Sequence, residues 1–474
     1  MAAAKKVASA AKKTVARKTG QRAAKTAKTA GKKPSRAAPG TGGSGNGASP
    51  GGAKTLRVRM YRVGFGDFFL LTVRNGKDEK HILIDCGVHA VDLGSIGDAV
   101  EQMSADCGKH LSLVIMTHRH ADHISGFAKC SDAFRQITVD RVWTPWFEDP
   151  GDKNGINIQT KLTALASQLS LQLAVRGPRD PFVAMAQNIT GGMAASGGSS
   201  NQTALDVLQN GFANKPAHDY YKAGDPPNLP QALIDAGLSA QILGPPGDVK
   251  LIAQMTNTAD QYLADAMQED DEPAKTFSNA FQAESYPAHA FKFFADTKVK
   301  ALIDSVRPDV LAARALAADK TLNNQSLVIL FSFGGRNLLF AGDAQWGNWE
   351  NFLYGGAFGT PGHTEMTKQA TDILKNIDFY KVGHHGSRNA TPKDAVAAML
   401  RPGCACMCST QIKAYNEVPR EPLMQALSTQ MKGKLARSDQ VAVKKEGPNA
   451  EAGPLPQGVG FDAPTNELFI DYNF

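Results

Sequence analysis

Four side chains of the types that bind metal ions fall within six residues of one another. They are His118, His120, Asp122 and His123. They directly follow the apolar residues 111–116, which predict a buried strand. Residues two apart in an extended chain project to the same side, so His118 and His120 can close on one ion. Asp122 and His123 come where the pattern turns helical, and that bend can aim them at a second ion. Imidazole and carboxylate ligands in this combination suit zinc, manganese or iron rather than calcium.

Alternating apolar residues predict the elements that would carry these side chains. Before and after the motif, we expect strands at 56–63, 68–73, 81–87 and 141–144 and a helix at 95–103. The dipeptide Asn75-Gly76 predicts a hairpin turn between the second and third strands. The motif would then lie at the end of a strand that is flanked by other strands.

Strand patterns return in the C-terminal part of the chain, after two long inserts at about 145–238 and 248–322. The inserts are predicted to be mainly helical, and a short strand at 239–243 separates them. Further strands are predicted at 326–333, 337–343, 379–382, 404–408 and 467–472, and helices at 365–375, 392–400 and 421–431. The inserts could cover the site or form an oligomer contact, and the pattern does not choose between these roles. Periodicity alone indicates a mixed α/β (α+β) fold.

The net charge of +7 for the 474 residues comes from one end of the chain. Residues 1–50 hold 12 Lys or Arg and no acidic residue, which leaves 40 basic against 45 acidic residues beyond position 50. Residues 1–54 are rich in Ala, Lys and Thr and then in Gly and Ser, so we predict a disordered tail followed by one domain at 55–474. The basic residues 1–36 could bind nucleic acid through its phosphates, or could only keep the protein in solution.

Cysteine content and hydropathy bound the compartment of the protein. Six cysteines are too few for a disulfide framework in a chain of this length. No apolar run approaches the ~20 residues that span a bilayer, and no apolar segment follows the basic start as in a secretory signal. A cytoplasmic location is predicted, with an organelle transit peptide as the alternative. Cys404, Cys406 and Cys408 alternate on a predicted strand, which favours packing on one face over a metal site.

Six short motifs occur in an order that resembles one known superfamily. They are residues 63–67 (VGFGD), 83–87 (LIDCG), 117–126 (THRHADHISG), 323–328 (NNQSLV), 340–343 (FAGD) and 381–387 (KVGHHGS). This order resembles the metallo-β-lactamase superfamily, and within it the soluble hydrolase domain of ComEC-type competence DNA-uptake proteins. The resemblance covers most of residues 55–474. It implies an αβ/βα sandwich with a metal site at one edge, but the chain lacks the transmembrane channel of the uptake proteins.

The resemblance implies which residues hold metal. The implied ligands are His118, His120, Asp122, His123, Asp343 and His384. In the family pattern, the two histidines His118 and His120 hold the first ion, and Asp343 bridges both ions. His384 completes the second site. The implied cofactor is one or two zinc ions, with manganese as an alternative.

Other residues gain supporting or catalytic roles from the same resemblance. Asp85 is expected to orient a metal-binding histidine by a hydrogen bond. His385 would support the site or face the substrate. Lys381 and Ser387 could contact a phosphate. The expected catalytic residues are Asp122, His385 and Lys381.

The chain departs from the family pattern in two places. Many members have a further histidine on the first ion, but the corresponding strand here ends in residues 243–246 (LGPP). The late histidine of the ComEC-type branch is also missing from residues 415–422. The first site is therefore predicted to be short of ligands, and operation with one ion remains open.

These observations predict a metal-dependent hydrolase of the phosphodiesterase or nuclease type that acts through a metal-activated water. One alternative is a hydrolase of carboxyl compounds such as a lactonase or β-lactamase. The basic tail and the residues 384–387 (HHGS) favour the phosphodiesterase. The alternative from another class is a nucleic-acid-binding protein with a vestigial metal site. Substrate and oligomeric state are left open.

Overall fold

A computed structural model describes most of the chain from residue 54 onward. The described residues are 54–89, 95–173, 187–189, 200–252, 254, 321–412, 414–415, 418–440, 460–462 and 468–474. The predicted basic tail, and with it the predicted contact with nucleic acid, lies outside this part of the chain. So does most of the second predicted insert.

Eight strands form the first sheet. They are β1 (Lys54–Tyr61), β2 (Phe68–Asn75), β3 (Asp78–Cys86), β4 (His110–Ile115), β5 (Thr138–Pro145), β6 (Ala217–Tyr221), β13 (Phe461–Asp462) and β14 (Phe469–Asn473). Their order is β13-β14-β1-β2-β3-β4-β5-β6. Pairing is antiparallel from β13 to β3 and parallel from β3 to β6. Asn75 pairs with Asp78, which confirms the predicted hairpin.

Six strands form the second sheet. They are β7 (Leu238–Gly244), β8 (Val328–Phe333), β9 (Arg336–Phe340), β10 (Phe379–Lys381), β11 (Ala405–Cys408) and β12 (Leu435–Arg437). Their order is β12-β11-β10-β9-β8-β7. β7, β8 and β9 pair antiparallel, and β9 to β12 pair parallel. Both sheets are therefore mixed, and the predicted mixed α/β class is confirmed.

Helices connect the strands. They are α1 (Ile96–Asp106), α2 (Ala121–Lys129), α3 (Ser131–Phe134), α4 (Lys153–Leu173), α5 (Ser200–Asn210), α6 (Gln231–Ala236), α7 (Val249–Ile252), α8 (Trp346–Tyr354), α9 (Lys368–Lys375), α10 (Lys393–Ala398) and α11 (Glu421–Gln430). Short 3-10 turns lie at Trp146–Glu148 and Gly383–Gly386. No helix in the described part of the chain is long and apolar enough to cross a membrane.

Three apolar clusters show how the layers pack. One lies between the sheets, because it joins residues such as Ile84 of β3 to Phe331 of β8. A second packs the other face of the first sheet against α1, α2, α3 and α5. A third packs the other face of the second sheet against α8, α9, α10 and α11. Alternate residues of β8 therefore serve different clusters, with Ile329 between the sheets and Leu330 beneath the helices.

Several elements differ from the sequence prediction, and the short strands β12 and β13 are among those not predicted. β6 lies within the first predicted insert, yet it pairs parallel with β5. Its sequence AHDYY buries only Tyr221, so it carries no strong strand signal. The strand predicted at 337–343 ends at Phe340, since residues 341–343 turn into the site. Helix α8, rich in Trp and Asn, was not predicted. Cys406 and Cys408 of β11, and Cys404 just before it, are free and buried. They pack together beneath the helices, as predicted.

Candidate metal centre

The candidate ligands gather where strands of both sheets end. β4 ends at Ile115, just before the motif that holds His118 to His123. β9 ends shortly before Asp343, and β10 ends just before the 3-10 turn Gly383–Gly386. Because β4 is parallel to β3 and β10 is parallel to β9, the carboxyl ends of neighbouring strands lie together in each sheet. The site therefore takes side chains from both sheets.

Four of these side chains form one compact buried group. Its members are Asp122, His123, Asp343 and His385, and their ligand atoms all lie within 4.8 Å of one another. His123 Nε2 is 3.1 Å from Asp343 Oδ2, and His385 Nε2 is 3.2 Å from Asp122 Oδ2. His385 Nε2 also lies 3.5 Å from Asp343 Oδ2. Two carboxylates and two imidazoles thus face a common centre.

A second group adjoins the first and shares one carboxylate with it. It consists of His118, His120 and Asp122, again all buried. His118 Nε2 lies 3.0 Å from His120 Nδ1, so the two imidazoles point at each other across a short gap. Asp122 belongs to both groups and could join two ions.

The separations suit a divalent metal ion. Ligand atoms about 2.05 Å from a tetrahedral zinc ion lie roughly 3.3 Å from one another. The observed separations of 3.0 to 3.5 Å bracket this value. Asp122 Oδ1 is buried and makes no hydrogen bond. Buried polar atoms rarely lack a hydrogen bond, and an oxygen lone pair that points toward a bound cation would explain the exception. The donor set therefore fits a divalent metal ion.

The four imidazoles of the two ligand groups differ in the direction in which burial and nearby charges shift their pKa. Burial, with the neighbouring His123 and His120, holds the pKa of His118 well below its ordinary value. Burial also lowers the pKa of His120 to about 4, against the opposing effect of Asp122. Both rings are therefore neutral at pH 7, which is the form that binds metal.

The other two imidazoles sit among carboxylates. Burial lowers the pKa of His123, but Asp343, Asp85 and Asp122 outweigh it and raise the pKa well above the ordinary value. Asp343 and Asp122 likewise raise the pKa of His385 against burial. In turn, these histidines hold the pKa of Asp122 and of Asp343 below the ordinary value, although burial alone would raise it. A metal ion that binds here would displace protons from His123 and His385.

Both of these histidines are also hydrogen-bonded through Nδ1, the ring nitrogen that does not face the ligand group. His123 Nδ1 lies 2.8 Å from Asp85 Oδ2, which is the contact expected of Asp85. Asp85 also accepts hydrogen bonds of 2.7 Å from the backbone N–H and the hydroxyl of Thr117. His385 Nδ1 donates to the carbonyl of Ser409 at 2.8 Å. Metal-binding histidines usually donate their second ring N–H to a carboxylate or carbonyl in this way.

The backbone around the site is packed too closely for side chains at two glycines. A Cβ on Gly87 would lie 2.3 Å from backbone atoms of Asp122 and His123, and one on Gly66 would lie 2.3 Å from the carbonyl oxygen of Gly87. The N–H of Asp67 donates to the carbonyl of Asp122 at 2.8 Å, and the N–H of Gly87 donates to that of Asp67 at 2.9 Å. Two loops of the first sheet are thereby fixed to the metal motif.

Backbone strain also concentrates here. Five non-glycine residues in the described part of the chain have positive φ, and three of them belong to the site. They are Asp85 (55°), His384 (42°) and His385 (51°). Left-handed backbone costs a non-glycine residue of order 1 kcal/mol and clusters at functional sites. The strain at 384–385 turns two adjacent imidazoles in different directions, with ring centroids 6.3 Å apart.

The structure brings His385, and not His384, into the four-residue group. His384 Nδ1 contacts Ser387 Oγ at 2.7 Å and Asn389 Oδ1 at 3.1 Å. Its Nε2 lies 3.9 Å from Asp343 Oδ2, and 20% of its side chain is exposed. His384 was predicted to complete the second site, but its geometry puts it at the solvent side of that site. His385, which was predicted to support the site or face the substrate, occupies the inner position.

Lys381 does not lie where a phosphate could reach it. Its side chain is 2% exposed and forms an ion pair with Asp67. Its Nζ donates to the carbonyl of Gly342 at 3.0 Å and lies 3.7 Å from Asp343 Oδ1. The structure thus gives Lys381 buried carboxylate partners in place of the predicted substrate phosphate.

Several residues at the site were not singled out from the sequence. Asp67 pairs with Lys381 and lies 3.6 Å from His385 Nδ1. Ser326 contacts both His118 and the backbone of Asp343. For Asp67, the available signal was an acidic residue that follows two glycines and directly precedes an apolar strand. For Ser326, it was a run of four polar residues ahead of β8. Both lie inside motifs that carried the resemblance, yet neither pattern by itself indicates a role.

Comparison with known proteins adds no relative to this description. No family model matches the chain, and no curated protein matches it. The chemistry of the site therefore rests on its own residues and their geometry.

Proposed function

We propose that this protein is a metal-dependent hydrolase of the metallo-β-lactamase type that cleaves phosphodiesters through a metal-activated water. One observation carries the proposal: two adjoining groups of buried metal-ligand side chains share Asp122. Adjoining divalent ions can activate a water and stabilise the leaving oxygen in the same displacement. Zinc is the favoured ion, and manganese is the alternative.

The arrangement of layers supports the fold named in this proposal. Two sheets face each other across an apolar core, helices cover their outer faces, and the ligands lie at strand ends along one edge. An αβ/βα sandwich with a metal site at its edge has the same layers. The order of the six motifs along the chain gives independent support.

Charge balance favours an anionic substrate. Asp67 is paired with Lys381, and Asp85 lies on the Nδ1 side of His123, away from the ligand group. Asp122 and Asp343 then carry the two negative charges that face the ions. One divalent ion balances them, and a second leaves positive charge that attracts a phosphodiester.

The residues of this chain would have separate tasks in the reaction. Asp85 and the carbonyl of Ser409 orient His123 and His385. His384 lies at the solvent side, with its Nε2 near both Asp343 and Asn323. It can therefore donate a hydrogen bond to a substrate oxygen or accept one from a hydroxyl group. A bound ion supplies Lewis acidity and lowers the pKa of a water toward neutrality.

Nucleic acid is the phosphodiester that the sequence favours. The 12 basic residues within 1–36, with no acid among them, would bind a polyphosphate with a steep dependence on salt. This attraction would also hold for a nucleic-acid-binding protein without catalysis. Turnover, and not binding, therefore separates the two functions.

A substrate screen tests the proposal. Purified protein loaded with zinc or with manganese is given bis-nitrophenyl phosphate, single-stranded DNA, single-stranded RNA and a lactone. We expect metal-dependent cleavage of the phosphodiesters that a chelator abolishes. Cleavage of the lactone alone would support the carboxyl-type hydrolase. Nucleic-acid binding with no cleavage of any substrate would contradict catalysis.

A further inference from the structure

Four consecutive polar residues precede β8, and all four are buried. Residues 323–326 (NNQS) are each at most 1% exposed. Buried polar side chains are stable only when they are hydrogen-bonded, so the contacts of such a run show what it holds together. These side chains reach the metal ligands, the loop after Asp343, and helix α4 of the first insert.

Ser326 lies between metal ligands that come from opposite sheets. Its Oγ is 3.2 Å from Nδ1 of His118, which follows a strand of the first sheet. The same oxygen accepts a 2.9 Å hydrogen bond from the backbone N–H of Asp343, which follows a strand of the second sheet. Next to it, the N–H of Leu327 donates to the carbonyl of Thr117 at 3.0 Å. Ser326 therefore joins the two halves of the site.

The tautomer that binds metal suits this arrangement. If His118 holds an ion through Nε2, its Nδ1 carries the proton and can donate to Ser326 Oγ, with the hydroxyl oxygen of Thr117 at the same distance of 3.2 Å. A serine hydroxyl can accept two hydrogen bonds, so it can serve His118 and the N–H of Asp343 together. A supporting partner of this kind fixes both the tautomer and the orientation of the ring.

Asn324 holds the loop that follows Asp343. Its Oδ1 accepts a 3.0 Å hydrogen bond from the backbone N–H of Gln345. Its Nδ2 donates to the carbonyls of Ile252 at 3.1 Å and Gln254 at 2.6 Å. The loop that carries Asp343 is therefore fixed to residues near α7.

Gln325 connects the run to the first insert. Its Oε1 accepts a 2.8 Å hydrogen bond from Gln159 of α4. Gln159 also donates to Glu148 at 2.7 Å, and Glu148 forms an ion pair with Arg119 of the metal motif. The same polar run thus contacts the insert that lies against the motif.

We propose that residues 324–326 are positioning residues that set the distance between the ligands of the two sheets, with Ser326 as the central one. This inference rests on the proposed function only in taking His118 and Asp343 as metal ligands. A metal site tolerates errors of only a few tenths of an ångström in ligand position, and its ligands here belong to separate sheets. A hydroxyl that touches both sets their spacing directly.

Metal binding by Ser326→Ala tests the inference without any need for activity. Cobalt(II) and zinc affinities are measured by competition with a chromophoric chelator, together with the visible spectrum of the cobalt form. We expect about 10- to 100-fold weaker binding and an altered cobalt spectrum, the cost typical of a lost supporting partner. Ser326→Cys keeps a weak hydrogen-bonding group of similar size. Its metal affinity should therefore lie between those of the wild-type protein and Ser326→Ala.

Ser332→Ala is the matched control. Ser332 lies on β8, and its hydroxyl donates to Asn337 at 2.6 Å, away from the site. Its loss should change neither affinity nor spectrum. Wild-type affinity and spectrum in Ser326→Ala would overturn the inference while leaving the proposed function intact. Failure of the wild-type protein to bind either metal would instead overturn the proposed function.

Asn324→Ala gives an independent test that remains if Ser326→Ala does not fold. It removes the support of the loop after Asp343 without touching a ligand, so we expect at least about fivefold weaker metal binding, a smaller effect than losing a direct partner. The double variant should lose less than the sum of the single losses, because both substitutions loosen the backbone around Asp343. An unchanged affinity in Asn324→Ala would contradict the positioning role.

Discussion

At the scale of single residues, the two adjacent histidines of the 3-10 turn Gly383–Gly386 are expected to have different roles. His385 faces Asp122 and Asp343 from inside the site, whereas His384 is partly exposed. We therefore expect His385→Ala to lose bound metal and His384→Ala to keep it while losing most of its turnover. Metal content after dialysis and initial rates on bis-nitrophenyl phosphate measure the two effects. Loss of metal from His384→Ala with retention in His385→Ala would reverse the assignment.

Lys381 is a buried charge whose removal should affect stability first. Lys381→Met would leave Asp67 without its partner in the core, and breaking one side of a buried ion pair costs about 3–5 kcal/mol. Urea unfolding of the metal-free protein measures this loss. Lys375→Met, at an exposed position in the last turn of α9, is the control and should change the free energy of unfolding by less than about 0.5 kcal/mol. A loss below about 1 kcal/mol in Lys381→Met would contradict the buried pairing.

His81 predicts a pH dependence that is separate from the metal site. Burial, with a contribution from Arg57, lowers its pKa to about 4, against about 6.5 in the unfolded chain. Its contribution to stability is therefore complete above pH 6.5 and is lost as the pH falls through 4. The loss is at most about 3 kcal/mol. Urea unfolding of metal-free His81→Gln at several pH values should show a shallower acid slope than the wild-type protein. Parallel curves for the wild-type and His81→Gln proteins would contradict this account.

At the scale of elements, the first insert supports the metal motif through amides. Asn201, at the start of α5, donates to the carbonyls of Arg119 at 2.9 Å, Asn188 at 2.9 Å and Ile189 at 3.0 Å. Asn188 in turn accepts a 3.2 Å hydrogen bond from the N–H of Asp122. The part of the insert that the structure describes is thus attached to the ligand loop itself.

Asn201→Ala should therefore weaken both the fold and the metal site. Leaving these buried carbonyls unsatisfied costs about 1–3 kcal/mol, and the motif loses a support at Arg119. Denaturant unfolding and zinc affinity measure the two effects in the same preparation. Asn210→Ala, exposed at the end of the same helix, is the control and should leave both unchanged. An Asn201→Ala protein of normal stability and zinc affinity would show that the insert only covers this surface.

Elements with strong local signals were predictable, and the distinctions inside the site were not. The alternation of the early strands and the Asn75-Gly76 hairpin follow from local chemistry, and the structure confirms them. Adjacent residues such as His384 and His385 cannot be told apart by spacing, because two left-handed backbone conformations decide which ring turns inward. The burial of Lys381 likewise depends on Asp67, more than three hundred residues earlier in the chain.

At the scale of the whole molecule, the site exists because the two sheets pack face to face and their ligand-bearing strand ends lie along one edge. The first sheet supplies His118, His120, Asp122 and His123, and the second supplies Asp343 and His385. The mixed α/β class was predictable from periodicity. The face-to-face packing was expected only through the resemblance, since contacts between sheets leave no periodic trace in one sequence.

The central claim is that Asp122 joins two groups of ligands around divalent ions. Its most direct test compares metal content and phosphodiester cleavage in the wild-type protein, Asp122→Asn and the exposed control Asp206→Asn, each loaded with zinc and with manganese. The account predicts that the wild-type and Asp206→Asn proteins retain divalent metal and cleave bis-nitrophenyl phosphate. Asp122→Asn should lose bound metal and at least about 100-fold in rate, because the shared ligand is also needed to place the catalytic ions. A wild-type protein that retains no metal, or an Asp122→Asn protein with full metal content and rate, would contradict it.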